Sequence, residues 1–491
     1  MSFKKINNIT GWSVFTIALI VYLMTMEPTV SFWDCGEFIS CAYKLQVGHS
    51  PGAPLFMLLG RIFAIFAPSP QQVALFVNAL SAFASAFTIL FLYWSITHFA
   101  KGVSFNDDEV LGRGNLLAVM GAGVVGALAY TFSDTFWFSA VEGEVYATSS
   151  FFTALVFWAI LKWEESNDVY ADRWLILIAY LIGLSIGVHL LSLLAIPTIA
   201  LIYYFKRYKA TLTGGLLAYF IGGVVLLLVQ YGVIQYLPIF ASKFELLFVN
   251  SLHMPFNSGA IFFLVFFGLI MAAVIWYARK NNRYLLHLSA LSLVFMTIGY
   301  TCYVPTIIRA NAGVSINMTN PDNVMSLIPY LQRTQYGTQP FLTGQYYSDK
   351  LIDIKPSGDI YLPVKEDGKD HYAAVGQEVD YVYENKHFFP RIWSSNQESH
   401  VRFYQNWLGL ADGEEPSAKD NFKFFMGYQI NHMFWRYFMW NYTGRQNDYQ
   451  GEGNEPQNGN WISGINGVDK FMGRGDFNKM PDAYKNNKAH N

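Results

Sequence analysis

Two carboxylates, Asp34 and Glu37, lie in the segment SFWDCGEF (31–38), directly after the first long apolar run of the chain. Only 14% of the residues are charged and 53% are hydrophobic, and charged side chains next to a membrane are costly unless they have a purpose. A positioned carboxylate can accept the proton of a reacting hydroxyl group. The pair therefore predicts acid–base chemistry on a substrate delivered at the bilayer surface.

The spacing of these two acids also fits a structural role. Residues three apart share one face of a helix, and an N-cap Asp34 with Glu37 at the third helical position would form a capping box. Ser31 and Asp34 have the same spacing. Spacing alone favours capping over catalysis, and both interpretations stay open at this point.

A second acidic pair, Glu142 and Glu144, lies in the loop between two later apolar runs. Acids just before a helix also complement its dipole, so a structural role is as well supported as a functional one. Two loops that each carry paired acids next to a span are nevertheless harder to explain structurally than one.

Several cationic or imidazole side chains are candidates to bind a phosphate group. Arg61 interrupts the apolar segment 55–66, which at twelve residues is too short to cross a bilayer and is expected to lie along the interface. Taken singly, each of these side chains is more often an ordinary surface or satisfied polar residue. The candidates are His49, Arg61, His189, Arg309 and Arg333.

The apolar residues fall in blocks long enough to cross a hydrocarbon core of ~30 Å, which predicts an all-α polytopic membrane protein. Residues 174–206 are interpreted as two short helices joined near 187–189 rather than as one long helix. The nine expected spans are 11–27, 73–99, 115–132, 146–163, 174–190, 191–206, 211–236, 259–278 and 285–304.

The distribution of basic residues predicts the orientation. With the N-terminus in the cytoplasm, twelve Lys and Arg residues lie in inside loops and three in outside loops up to residue 304. This arrangement places the loops 27–72 and 133–145 outside, together with the polar region 305–491. Within that region the aromatic segment 424–442 is expected to form an interfacial helix or the core of a small outer domain.

Other function classes find no support in the sequence. The net charge of −2 gives no reason to expect nucleic acid binding. No Walker A loop, dinucleotide-binding glycine motif, HExxH motif or serine elbow occurs, so nucleotide-driven transport and zinc proteolysis are not expected.

Three motifs resemble a known family: SFWDCGEF (31–38) with QVGHSPGAP (46–54), EGEVY (142–146), and YLQRTQYG (330–337). They are similar to bacterial multi-pass proteins of the domain-of-unknown-function 2723 family and to the transmembrane protein O-mannosyltransferase of eukaryotes. The resemblance implies a GT-C glycosyltransferase fold, a sugar donor linked to a lipid phosphate and an active site on the outer face. Longer relatives continue with further spans, so the chain is expected to be truncated relative to them.

The resemblance also implies roles for individual residues. Asp34 matches the acid that serves as base toward the acceptor, Glu37 is its partner, and Glu144 matches the acid of the second loop. The implied donor is a polyprenyl-phosphate-linked sugar, with mannose as the expected sugar, and the implied acceptor is Ser or Thr of an exported protein. No metal or other cofactor is required by this scheme.

Two rival functions remain from the residues themselves. In a non-catalytic membrane scaffold or assembly factor, the acids would be helix caps and the arginines would bind lipid headgroups. A lipid or solute transporter is the third and weaker alternative, because its coupling acids are usually expected within the spans. If the chain is bacterial, the expected location is the inner membrane.

Overall fold

The computed structural model describes residues 2–104, 112–167, 170–337, 339–446 and 459–473. The glycines Gly451, Gly453, Gly459, Gly464 and Gly467 predict loops over the last fifty residues, and of these only 442–446 and 459–473 lie within the described ranges. The described residues form an all-α polytopic membrane protein, with two small two-stranded β-sheets, one of them a hairpin, that the sequence analysis did not predict.

Within the described ranges, eight helical segments are long and apolar enough to cross a membrane. Each overlaps one of the expected spans. The remaining expected span, 174–190, corresponds to a helix of fourteen residues, Arg173–Ile186. It is about 21 Å long and therefore shorter than a typical hydrocarbon core. The eight segments are Phe3–Thr25, Pro70–Val103, Arg113–Thr131, Val145–Glu165, Leu190–Arg207, Leu212–Ser251, Ser258–Lys280 and Tyr284–Ala310.

The predicted break near 187–189 is confirmed. The helix before it ends at Ile186, a 3₁₀ turn covers Leu190–Ala195, and the next helix begins at Ile196. The helical segment of the seventh span does not end at residue 236, because π-helical turns and α11 carry it on to Ser251.

The described chain divides into two compact units. The first comprises the described residues up to 336, apart from 133–135, together with 362–373, and the second comprises 133–135 and the remaining described residues. The helices up to residue 332 are α1 Phe3–Thr25, α2 Cys35–Lys44, α3 Pro54–Ile65, α4 Val73–Ser104, α5 Arg113–Thr131, α6 Asp134–Ala140, α7 Val145–Glu165, α8 Arg173–Ile186, α9 Ile196–Arg207, α10 Leu212–Leu227, α11 Leu237–Leu246, α12 Ser258–Lys280, α13 Tyr284–Tyr300, α14 Val304–Ala310 and α15 Val324–Gln332.

Helix α4 organises the first unit, because it packs against α1, α3, α5 and α7. Small residues on α4, including Ala82, Ala86 and Ser85, are fully buried and allow neighbouring helices to approach closely. The same helix contributes Val77 and Leu80 to the cluster that supports α2 and α3. The short helices of the loop 27–72 are thus held by the membrane-length helices beneath them.

The second unit contains residues 351–361 and 374–383 of the hairpin and a set of aromatic helices. Its core contains Tyr346, Ile392, Tyr404 and Phe424. The segment expected over 424–442 is helical and continuous with α17, with a π-helical middle over Phe425–Trp435. The remaining elements are β1 Thr343–Gly344, β2 Leu351–Glu366, β3 Lys369–Tyr383, β4 His387–Phe388, α16 Glu398–Leu408, α17 Ala418–Phe424, α18 Arg436–Tyr442 and α19 Asn466–Phe471.

Candidate active site

Helix α2 positions the first acidic pair. Its buried residues Cys35, Phe38, Ile39 and Ala42 follow the i, i+3, i+4, i+7 spacing of an amphipathic helix. Three of them join the apolar cluster formed with α3, α4 and α7. Burial of this face fixes the rotation of α2 about its axis. The position of Asp34, the residue directly before the first turn, is fixed with it.

Asp34 occupies the N-cap position of α2 but does not cap it. Its backbone is in the right-handed helical region, and its side chain accepts no cap hydrogen bond from the described backbone of α2. The carboxylate is 57% exposed. The capping-box interpretation is therefore wrong for this pair, because Glu37 also bonds elsewhere.

Glu37 binds His49. Its Oε1 atom accepts a hydrogen bond from the backbone N–H of His49 at 2.5 Å and lies 3.1 Å from the imidazole Nδ1. The other ring nitrogen, Nε2, lies 3.9 Å from Oδ2 of Asp34. The contact with the imidazole lowers the pKa of Glu37, and the same carboxylate raises the pKa of His49, which favours the imidazolium form between the two acids.

The loop that carries His49 is tightly anchored. A Cβ at Gly48 would lie 2.7 Å from Oε1 of Glu37, so only glycine permits this close approach. The Tyr330 hydroxyl donates to the Gly48 carbonyl at 2.6 Å, and Val47 pairs with the 316–318 segment through two backbone hydrogen bonds. The imidazole is thus placed by α15 as well as by its own loop.

Glu142 joins the site from the second loop and is nearly fully buried. The Ser31 hydroxyl donates to its Oε2 at 2.7 Å, and the Cys35 thiol also donates to this carboxyl group. Burial raises the pKa of Glu142, and these two donors partly oppose the shift. The thiol of Cys35 stays protonated, because burial and the surrounding acids raise its pKa.

Glu144 caps helix α7, since its Oε2 accepts the backbone N–H of Val145 at 2.6 Å. Burial raises its pKa to about 7, and the negative charges of Asp34 and Glu142 add to the shift. A carboxyl group with this pKa exchanges its proton near neutral pH. The structural and the chemical interpretation therefore both apply to Glu144, because one oxygen caps the helix while the group as a whole titrates near pH 7.

His189 lies in the break between α8 and α9, directly before the 3₁₀ turn Leu190–Ala195. Its Nδ1 accepts the backbone N–H of Leu191 at 3.2 Å, which assigns the ring proton to Nε2. Burial, followed by the nearby charge of Arg333, lowers its pKa. His189 is therefore a neutral hydrogen-bond donor beside the ring of Tyr146, whose centroid is 5.3 Å from that of the imidazole.

Arg333 supplies positive charge to the same place. It is exposed at the left-handed C-cap of α15, and its guanidinium acts electrostatically on both His49 and His189. The structure thus gathers Arg333, both histidines and the four acids in the first unit, although they come from five separate stretches of sequence.

Arg61 and Arg309 lie elsewhere. Both guanidinium groups donate to backbone carbonyls at the C-terminal end of α2, Arg61 to Tyr43 and Arg309 to Lys44 and Leu45. A ten-residue helix separates that end from Asp34 by roughly 14 Å. Arg61 and Arg309 therefore lie close to each other and far from the acids.

Three supporting residues were not among the candidates for catalysis or phosphate binding. Ser31 and Cys35 stand inside the motif around Asp34, and their proximity to the acids was the available signal. Tyr330 is part of the YLQRTQYG motif, but nothing in its spacing indicates a contact 282 residues away. Only the fold reveals that partner.

The site overlaps a region of similarity to known proteins. Residues 34–212 match the family model described as the protein O-mannosyl-transferase TMEM260 N-terminal domain, and residues 337–426 match a family of unknown function, DUF8416. The first match begins at Asp34 and includes every site residue named above except Ser31, Tyr330 and Arg333.

Two curated relatives share this similarity. The protein O-mannosyl-transferase tmem260 of Dictyostelium discoideum is 28% identical over 205 residues, which are 38% of this chain and 22% of that protein. The protein O-mannosyl-transferase TMEM260 of Mus musculus is 25% identical over 155 residues, 32% of this chain and 20% of that protein.

These matches cover about a fifth of the length of each curated relative. No solved structure matches the chain. The part of the chain that holds Asp34, Glu37, His49, Glu142 and Glu144 is therefore similar to the N-terminal domain of protein O-mannosyltransferases.

Proposed function

We propose that the protein is a membrane glycosyltransferase that moves a sugar, with mannose expected, from a polyprenyl-phosphate donor to Ser or Thr of exported proteins. The observation that carries the proposal is the state of Asp34. Its carboxylate is exposed, caps no part of α2 in the described structure, and faces the His49 imidazole at the start of the region similar to O-mannosyltransferases.

In the proposed reaction, the hydroxyl oxygen of the acceptor attacks the anomeric carbon of the sugar. Its proton passes to Asp34 as the new carbon–oxygen bond forms. The bond from the anomeric carbon to the phosphate oxygen breaks, and its electron pair leaves with the lipid phosphate. Attack opposite to the leaving group inverts the anomeric configuration, and the scheme requires no metal.

The departing phosphate gains negative charge, which nearby donors stabilise. The imidazolium of His49, the neutral Nε2–H of His189 and the guanidinium of Arg333 are the candidates for this role. Arg61 and Arg309 are not assigned to it, because they lie at the other end of α2.

Glu37 acts through His49, since it holds the imidazole in the orientation that points Nε2 toward Asp34. Glu142 and Glu144 set the electrostatic environment of the site. Both carboxyl groups are nearly buried, and burial disfavours their own ionised forms. We expect the loops 27–72 and 133–145 to face the outer side, where the exported acceptor emerges.

The test is the Asp34→Asn variant of the full chain, assayed for sugar transfer to an acceptor peptide with a polyprenyl-phosphate mannose donor. Loss of a general base lowers the rate by about 10²–10⁴-fold. Melting should stay unchanged, because the side chain is exposed and caps nothing in the described helix. Native transfer rates in this variant would refute the assignment of Asp34.

The scaffold alternative makes the opposite prediction. It relies on acids that serve only as helix caps, and Asp34 has no such role in the described structure while Glu144 does. If neither the native chain nor the Asp34→Asn variant transfers sugar, while both support the same assembly of partner proteins, the scaffold function is favoured.

A further inference from the structure

A second site lies at the C-terminal end of α2. Tyr43, Lys44, Leu45, Arg61 and Arg309 line a cavity of about 360 Å³ there. Three of these five residues are cations, and they come from α2, α3 and α14. The proposed reaction uses none of them, because α2 separates them from Asp34 by roughly 14 Å.

Both arginines are held in place by backbone carbonyls. Nε of Arg309 donates to the Leu45 carbonyl at 2.6 Å and its NH2 group donates to Lys44 at 3.2 Å, while NH1 of Arg61 donates to Tyr43. The Arg61 guanidinium also lies 5.7 Å from the centroid of the Tyr43 ring. The two guanidinium groups are thus oriented before any ligand arrives.

The positive charge of this site is not balanced by acids. Throughout the described ranges, no carboxylate lies within ion-pair distance of Lys44, Arg61 or Arg309. The C-terminal end of α2 offsets the three positive charges only with the partial negative charge of its carbonyl groups. A bound anion would relieve the mutual repulsion of three cations, and a phosphate matches the planar donor array of arginine.

Exposed apolar side chains lie on the two helices that supply Arg61 and Arg309. Ile62, Ile65 and Phe66 at α3 are between 51% and 68% exposed, and Val304 and Ile308 of α14 are 48% and 61% exposed. Side chains of this kind next to the cations suit acyl chains, whereas a free inorganic anion would gain nothing from them. The combination favours a ligand that is both anionic and apolar.

We propose that Lys44, Arg61 and Arg309 bind the phosphate of an anionic lipid headgroup, with the acyl chains along the apolar faces of α3 and α14. Such a lipid holds the C-terminal end of α2 at the bilayer interface. Because α2 is a single rigid helix, the lipid also fixes the depth at which Asp34 stands.

The experiment is native mass spectrometry of the full chain in detergent, with phosphatidic acid or phosphatidylcholine added. The native protein should bind phosphatidic acid more tightly than phosphatidylcholine. Lys44→Gln should weaken phosphatidic acid binding about fivefold, and the Arg61→Gln/Arg309→Gln double variant about thirtyfold. Lys243→Gln, which removes an exposed cation of α11, is the matched control and should bind as the native protein does.

A second arm distinguishes the two sources of phosphate. Excess inorganic phosphate should leave phosphatidic acid bound, and equal displacement by the free ion would overturn the assignment to lipid. The Arg61→Lys/Arg309→Lys variant keeps the charge and should retain most of the binding.

The Lys44→Gln variant keeps the proposal testable if the arginine variants fail to fold, because the exposed Lys44 side chain holds no described backbone carbonyl. Native affinity for phosphatidic acid in a folded Lys44→Gln variant would refute the role of Lys44. Native affinity in the folded double glutamine variant would refute the site.

Discussion

Helix α7 has a histidine–carboxylate cluster at each end, and the two clusters differ in their charge balance. At the C-terminal end, His98 contacts Glu164 at 3.1 Å and Glu165 at 3.0 Å, and Lys162 also pairs with Glu165 at 2.6 Å. This group contains two acids and two basic side chains. The N-terminal end brings four acids together with His49, His189 and Arg333, and His189 is neutral there.

Burial separates the clusters further. The side chains of Glu164 and Glu165 are 41% and 48% exposed, whereas Glu142 and Glu144 are nearly buried. Exposed, balanced ion pairs contribute little and are screened by water. Buried, unbalanced carboxyl groups raise one another's pKa, and such groups are typical of sites that move protons. The two clusters therefore differ both in charge balance and in burial.

The largest effect on sugar transfer is expected when His49 of the N-terminal cluster is replaced. His49→Gln removes the cation between Asp34 and Glu37, so sugar transfer should fall about a hundredfold, as when a preorganised electrostatic group is lost. His98→Gln is the matched control and should transfer sugar at the native rate. Equal losses in the two variants would contradict the distinction.

The pH dependence of stability tests the buried acid Glu144. Its pKa is about 7 in the folded chain against a usual 4.5, so between these values the folded state holds a proton that the unfolded state has released. The free energy of unfolding should therefore fall by about 3 kcal/mol as the pH rises from 4.5 to 7.

Glu144→Gln should remove this slope in chemical unfolding measured in detergent micelles. Glutamine keeps an oxygen acceptor for the Val145 N–H, which preserves the cap. His49, whose pKa is raised, also loses stabilisation as the pH rises, but it does so in both proteins and cancels in the difference. An unchanged slope in the variant would show that Glu144 titrates normally.

A smaller effect is expected at Ser31. Ser31→Ala removes one donor from the buried Glu142, and a lost hydrogen bond to a charged group costs about 1.5–3 kcal/mol. The loss should shrink at low pH, where Glu142 is protonated in both proteins. Unfolding curves at two pH values check this, with Ser399→Ala in the second unit as an exposed serine control.

The smallest effect is expected at the opposite end of α7. Glu164→Gln breaks the contact with His98 but leaves the pairing with Glu165 intact, so stability should change by less than about 1 kcal/mol. Sugar transfer should be native. A large loss of either property would mean that the C-terminal cluster does more than join two helix ends.

Much of the candidate site could be predicted from the sequence. Asp34, Glu37, Glu142 and Glu144 stand out because carboxylates are rare beside apolar runs, and the helical segments follow from apolar length. The failures have a common cause. Spacing suggested that Asp34 and Glu37 cap α2 together, but the folded loop offers Glu37 a better partner in His49, and that loop is placed by the distant Tyr330.

Hydrophobic length and local composition are properties of neighbouring residues, so the chain alone predicts the membrane-length helices, the break near residues 187–189 and the acidic loops. Which charges meet depends on the packed fold. The fold places His49, His189 and Arg333 close to the acids and places Arg61 and Arg309 at the C-terminal end of α2. Contacts between residues hundreds of positions apart depend on how the helices pack, and the local spacing of residues does not predict that packing.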